Sequence, residues 1–188
     1  MSAQPEARAL RSDARRNRER LVEAARRVFG TRGSEASIEE IARAADVGVG
    51  TLYRHFPRRI DLVEAVYRED VDTMVDLAAR VAEELPPWEG LTGWLDGFVR
   101  YAQAKRVFLT ELQEAFEKNP ELALQSREKI RGAAGAVLAR AQAAGAARDD
   151  IDAADLMHLI GGMCTARDAS PDRNERLLLV VLDGLRAG

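Results

Sequence analysis

The chain has 188 residues, 46% of them apolar, 31% charged and only 5% aromatic, and a formal net charge of -3. That length accommodates one ordinary domain or a small domain beside a larger one, and a single cysteine, Cys164, excludes a disulfide framework within the chain. No run approaches the roughly 18 apolar residues of a membrane span, and the arginine-rich N-terminus lacks the apolar core of a secretory signal. The expectation is a soluble, cytoplasmic protein with no membrane partner.

The charge is unevenly placed. Residues 1–60 carry 13 Arg and no Lys against 8 Asp or Glu, a net of +5, while the remaining 128 residues carry 15 basic and 23 acidic groups, a net of -8. A basic N-terminal third on an acidic body fits a polyanion-binding module joined to one that does not bind polyanions, and equally a solvated arginine-rich helix. Ala, Leu, Arg and Glu recur throughout, residues that lose little side-chain freedom in a helix, and no hairpin signal separates alternating β-branched runs. The expected fold is all-α, with about nine helices.

Residues 1–13 lack periodicity and read as a flexible arm. A first helix from about Ala14 to Gly30 places Leu21, Ala25, Val28 and Phe29 at helical spacing, with Gly30 or Gly33 as its stop. Ser37 and Glu40 form an S-x-x-E capping box that starts a second helix through Ile41, Ala42 and Ala45. Asp46, Val47 and Gly48 interrupt the pattern. A short third helix, about Val49 to Phe56, has Gly48 at its cap, and Pro57 stops it. Two short helices joined by a tight turn make a helix-turn-helix pattern, which sets residues 14–60 as a DNA-binding domain.

A long fourth helix, residues 61–85 with its start near Arg59, ends before Pro86-Pro87 and connects that domain to residues 86–188. Five further helical segments follow: Trp88 to about Lys105, Phe108 to Lys118, an Asn119-Pro120 start reaching about Ala144, Asp152 to about Ala166, and a Ser170-Pro171 start ending near Leu185.

The stretch Ser37 to Tyr67, SIEEIARAADVGVGTLYRHFPRRIDLVEAVY, carries the functional signal. Leu52 and Phe56 at i, i+4 spacing point inward, which turns Thr51, Tyr53, Arg54 and His55 partly or wholly outward. Gly48, Val49, Gly50 and Thr51 would let the backbone approach base edges. Val49 can meet a thymine methyl, Thr51 and Arg54 can reach a base or the backbone, and Tyr53 and His55 can donate to phosphate oxygens. Over about residues 15–67 the sequence resembles the DNA-binding signature of the TetR family of bacterial regulators, in which the second and third helices form the helix-turn-helix, followed by a Tyr-x-x-Phe segment and a basic residue. Here those positions are Tyr53, Phe56 and Arg59. The resemblance implies that Arg59 contacts phosphate and that Ser37, Gly48, Val49, Gly50, Thr51, Tyr53, Arg54 and His55 form the DNA surface. Many relatives carry Ser followed by Lys or Arg where this chain has Gly48 and Val49, so specificity leans on Thr51, Arg54 and the arm. There Arg8 and Arg11 are candidate minor-groove anchors, with a solvated tail as the alternative.

Leu177 to Leu182 is apolar without interruption, so the last helix must be covered on several sides. Either it is an internal core helix or a second subunit covers it. The resemblance implies the second, with a four-helix dimer interface that would use Ile160, Met163, Cys164, Leu178, Val181, Leu182 and Leu185. Trp94, Phe98, Tyr101, Phe108, Leu112, Phe116 and Met157 are candidates to line an apolar effector pocket, ordinary core being the alternative for each. Glu111 and Glu114 could attract a cationic ligand or form a solvated face. His158 reads as a core or interface residue, and Cys164 as inert packing. Only two histidines, His55 and His158, accompany the one cysteine, and no metal-spaced cluster, phosphate loop or nucleophile motif is present. No metal, cofactor or catalytic residue is expected. The leading function is an effector-released repressor that binds a palindromic or near-palindromic double-stranded operator as a homodimer. A helical enzyme and a helical adaptor without DNA binding are the alternatives. A ligand near Trp94 and Phe98 would act through the fourth helix as a lever.

Overall fold

The computed structural model describes the backbone of residues 4–187 and the side chains of residues 12–187. Nine α-helices in chain order and two short 3-10 turns make up the described elements: α1 Gln4–Arg32, α2 Ile38–Ala44, α3 Val49–His55, α4 Arg59–Glu84, α5 Pro87–Lys105, α6 Leu109–Lys118, α7 Pro120–Ala143, α8 Ala153–Thr165 and α9 Pro171–Leu185. The expected arm differs, because α1 already runs from Gln4, so residues 4–13 are helical. Met1–Ala3 lie outside the described residues, as do the side chains of Arg8 and Arg11.

Local chemistry sets the boundaries. The Ser37 hydroxyl accepts from the Glu40 amide at 3.0 Å while Glu40 accepts from the Ser37 amide at 3.1 Å, closing the capping box of α2. Asp152 and Asp155 form a second such box at α8. Asn119 and Ser170 cap α7 and α9, each followed by proline at the first helical position. Gly33, at φ +57°, follows the last residue of α1, and a Cβ there would lie 2.7 Å from the Val107 carbonyl oxygen. Only glycine combines that conformation with that approach.

The turn between α2 and α3 uses a different residue. The Asp46 amide donates to the Arg43 carbonyl at 3.1 Å and the Val47 amide to the Ala42 carbonyl at 2.9 Å, with Asp46 at φ +52°. This is the Schellman arrangement, with aspartate at the left-handed position that glycine usually takes.

The helices form two compact units. The first comprises residues 1–67 and 107–118, and the second residues 68–106 and 119–188. In the first, Leu21, Val22, Ala25 and Phe29 of α1 are fully buried, as are Ile41 of α2 and Leu52 of α3. The segment 107–118, expected to lie within the 86–188 block, belongs to this unit. The Phe108 ring meets Phe29 at 5.9 Å, the Phe116 ring meets Tyr67 edge-on at 5.2 Å, and Leu112 and Ala115 are buried.

In the second unit Trp94, Leu95, Leu138, Leu156 and Ile160 are fully buried. The Trp94 indole nitrogen donates to the Met74 carbonyl at 3.0 Å, so burying it leaves no donor unsatisfied. The end of α9 is fixed by the Arg186 guanidinium, 4.5 Å from the Trp88 ring centre, and by the Arg148 amide donating to the Leu185 carbonyl at 2.9 Å.

Candidate nucleic-acid interface

Helix α3 has two unlike sides. Leu52 and the capping residue Phe56 are buried, and the Arg18 guanidinium lies 5.3 Å from the Phe56 ring centre, tying α1 to the end of α3. On the other side Gly48, Val49, Gly50, Tyr53 and Arg54 are exposed, and Thr51 and His55 are half-buried. Tyr53 presents 46% of its surface to solvent, an aromatic side chain with no core function at that position. Ser37 is half-buried and occupied by its capping role. The structure therefore places the expected α3 residues on one open surface, with Ser37 at the start of the neighbouring α2.

Arg54 does not project freely. Its Nη2 donates to the Thr51 hydroxyl at 2.8 Å and its Nε to the Gly50 carbonyl at 3.3 Å. Arg58, beside the surface, is exposed and held by Asp61. The carboxylate accepts from the Arg58 amide at 2.9 Å and from its guanidinium, which keeps the Asp61 carboxyl below the usual carboxylate range.

Arg59, the phosphate contact that the resemblance implies, is engaged within the unit. Its Nη1 donates to the Ala36 carbonyl, and its Nη2 lies 3.4 Å from the Gly33 carbonyl, 3.3 Å from that of Ser34 and 3.3 Å from Glu111 Oε1. The guanidinium also stacks 4.9 Å from the centre of the Phe29 ring. In this conformation Arg59 is an internal pin of the first unit. Sequence spacing could not show this, because the partners lie 23 to 52 residues away.

The pocket candidates divide between the units. Phe108, Leu112 and Phe116 belong to the first, where Phe108 and Leu112 are buried and Phe116 is half-buried against Tyr67. Trp94, Phe98 and Tyr101 form a ladder in the second, with successive ring centres 5.7 Å apart, and Met157 on α8 is half-buried. At the end of that ladder the Lys105 ammonium lies 3.3 Å from the Tyr101 ring centre. Burial lowers the Lys105 pKa to about 7 against the opposing pull of Asp70.

The interface candidates divide by burial. Ile160, Cys164, Leu178 and Leu185 are buried in the chain's own core. Met163, Val181 and Leu182 are half-buried. The exposed apolar residues of α8 and α9 are instead Leu159, Leu177, Leu179 and Val180. His158 is exposed in the single chain, so of its two expected places the chain's own core is excluded. Burial pushes the Cys164 thiol up to about 11, so the thiolate needed for redox chemistry is scarce at neutral pH.

Comparison with known proteins agrees with this geometry. Residues 21–66 match the family model for bacterial regulatory proteins of the tetR family, and residues 86–187 match the C-terminal domain of SbtR-like transcriptional regulators. The structure resembles that of a TetR transcriptional regulator from Streptomyces coelicolor, with a TM-score of 0.80 and 40% identity, covering 90% of this chain and 98% of that one. It also resembles a TetR transcription regulatory protein from Mycobacterium vanbaalenii, with a TM-score of 0.75 and 35% identity, covering 94% and 99% of the two chains. An HTH-type transcriptional regulator of Staphylococcus aureus (strain USA300) is 40% identical over 67 residues, so the alignment spans only 36% of that relative and 35% of this chain. Among the described residues no helix is long and apolar enough to cross a membrane. With its helix-turn-helix unit and its C-terminal helices both matched, the chain belongs to the TetR family of bacterial transcriptional regulators.

Proposed function

We propose that the chain is a sequence-specific DNA-binding regulator that acts as a homodimer, a repressor released from its operator by a small-molecule effector. The observation that carries this reading is the division of α3: Leu52 and Phe56 lock the helix into the unit, and Gly48 to His55 otherwise form an open strip with Tyr53 and Arg54 exposed. A recognition helix needs that combination of a fixed back and a small or polar leading edge to enter the major groove. Val49, Thr51 and Arg54 read base edges, and Tyr53 and His55 hold phosphates. The effector binds along the Trp94–Phe98–Tyr101 ladder in the second unit, and Met157 contributes to the same wall.

Selection from a random duplex pool at about 50 mM salt tests the first half, because non-specific binding is strongest there and enrichment must exceed it. Enrichment of one near-palindromic site is expected, and a pool that stays random overturns sequence-specific binding. For a compound found by thermal-shift screening, operator DNA must weaken its binding by the factor by which it weakens DNA binding. Equal compound affinity with and without operator rejects release by that compound.

A further inference from the structure

Glu111 is the acidic neighbour of Arg59 within the helix-turn-helix unit. Its side chain is 17% exposed, its Oε1 takes a hydrogen bond from Arg59 at 3.3 Å, and its Oε2 is buried with no hydrogen-bond partner. A carboxylate held this far from water stabilises a cation beside it, and its second oxygen could accept the other arm of the same guanidinium. Arg59 sits at the first position of α4 and binds the carbonyls of Gly33, Ser34 and Ala36, the residues that lead into the Ser37 cap of α2. In a helix-turn-helix the first of the two helices crosses the DNA backbone, and Arg59 is bonded to the residues that lead into that helix.

We propose that Glu111 is a built-in competitor of operator phosphate for Arg59. While α6 holds its position, the carboxylate neutralises the arginine and withholds its charge from DNA. Phosphate and carboxylate offer the same planar fork of donors the same kind of acceptor, so the two exchange without a change in the chemistry of the contact. Any displacement of α6 that moves Glu111 then changes DNA affinity through one ion pair. Glu111 is a positioning residue in this scheme and touches no base. The inference rests on the DNA-binding reading above and goes beyond it in assigning a regulatory contact inside the DNA-binding unit.

The test compares Glu111→Gln with the unaltered protein on one operator duplex and one unrelated duplex, across a salt series. Glutamine keeps the shape and removes the charge. The expected result is tighter binding to both duplexes and a slope of log affinity against log salt that steepens by about 0.9 for each subunit, one added phosphate contact. Glu114→Gln removes the same charge one turn away, where the side chain is exposed and paired with Lys118, and should leave the slope unchanged. In the double variant Arg59→Ala, Glu111→Gln the gain should vanish, and thermal melting of each variant verifies that it is folded. Should Glu111→Gln match the unaltered protein or bind more weakly, or should Glu114→Gln reproduce its gain, the competition is overturned. If the unaltered protein binds neither duplex, the DNA-binding reading fails, a result distinct from either of these.

Discussion

The Thr51 hydroxyl accepts a 2.8 Å hydrogen bond from Arg54 one turn further along α3, so two of the residues proposed to read bases are already bonded to each other. The Thr51 hydroxyl keeps its own donor and Arg54 its other N–H groups, so each can contact a base while the other holds it in place. Thr51→Ala and Arg54→Ala should therefore weaken operator binding non-additively. Each alone should cost about 1–3 kcal/mol at the base pair it reads. Together they should cost less than the sum, by about 0.5–1.5 kcal/mol. Anisotropy titrations of the two single variants and the double variant against one operator measure the difference. Fully additive losses would show that the pair is not coupled on DNA.

Asp46 carries the second prediction. Its left-handed φ of +52° makes the Schellman turn that sets α3 against α2, yet the position lacks the residue that tolerates this conformation best. Its ion pair with Arg20 Nη1 at 3.8 Å joins an exposed side chain to a fully exposed one and contributes little. Asp46→Gly should raise the unfolding free energy by up to about 1 kcal/mol. Asp46→Val should lower it by at least about as much, because β-branching worsens the same clash. Urea unfolding of both variants checks the order of stability.

That turn also marks what could be read from the residues alone. Caps and prolines are local chemistry, and they located α2, α7 and α9 to within a residue: Ser37 with Glu40, Asn119 before Pro120, Ser170 before Pro171. Alternation of buried Leu52 and Phe56 with open positions likewise oriented α3 without a structure. Allegiance over long distances was not legible. The segment 107–118 carries an apolar face, but nothing in its periodicity says that Phe108, just before α6, meets Phe29 or that Glu111 on α6 meets Arg59. In α9, Leu177 to Leu182 are all apolar, so the pattern has no phase, and only packing reveals that Leu178 turns in while Val180 turns out.

Lys105 gives a pH-dependent prediction. In the folded chain burial brings its pKa from the ordinary 10.5 down to about 7. Between those values the unfolded chain binds a proton that the folded chain does not, so stability rises with pH across the window. Below about pH 7 both states are protonated and the penalty for the buried charge is fully present. Lys105→Met removes the titrating group, and the difference in unfolding free energy between variant and parent should shrink steadily from pH 7 to about 9. A difference constant across that range would show that Lys105 keeps its proton when folded.

The apolar surface of α8 and α9 is the basis of the proposed dimer, and the two sides of α9 allow it to be tested separately from folding. Val180 is 66% exposed and Leu178 5%, two residues apart on one helix. Leu159, Leu177 and Leu179 join Val180 among the exposed apolar residues, and such a concentration on two helices is costly in water unless covered. In the proposed dimer a second copy would cover it symmetrically, and the paired recognition helices would match two half-sites. The parent should sediment at about 41 kDa, twice the 20.7 kDa chain. Val180→Asp should yield a helical monomer, because a charge buried without a partner in an apolar interface is expensive only in the dimer. Leu178→Asp should instead lose helicity altogether, since that position lies in the subunit's own core. The Val180→Asp monomer should bind a single half-site with the same base preferences but lose the added affinity of the full operator. A Val180→Asp protein that remains dimeric at micromolar concentration would move the interface to another surface.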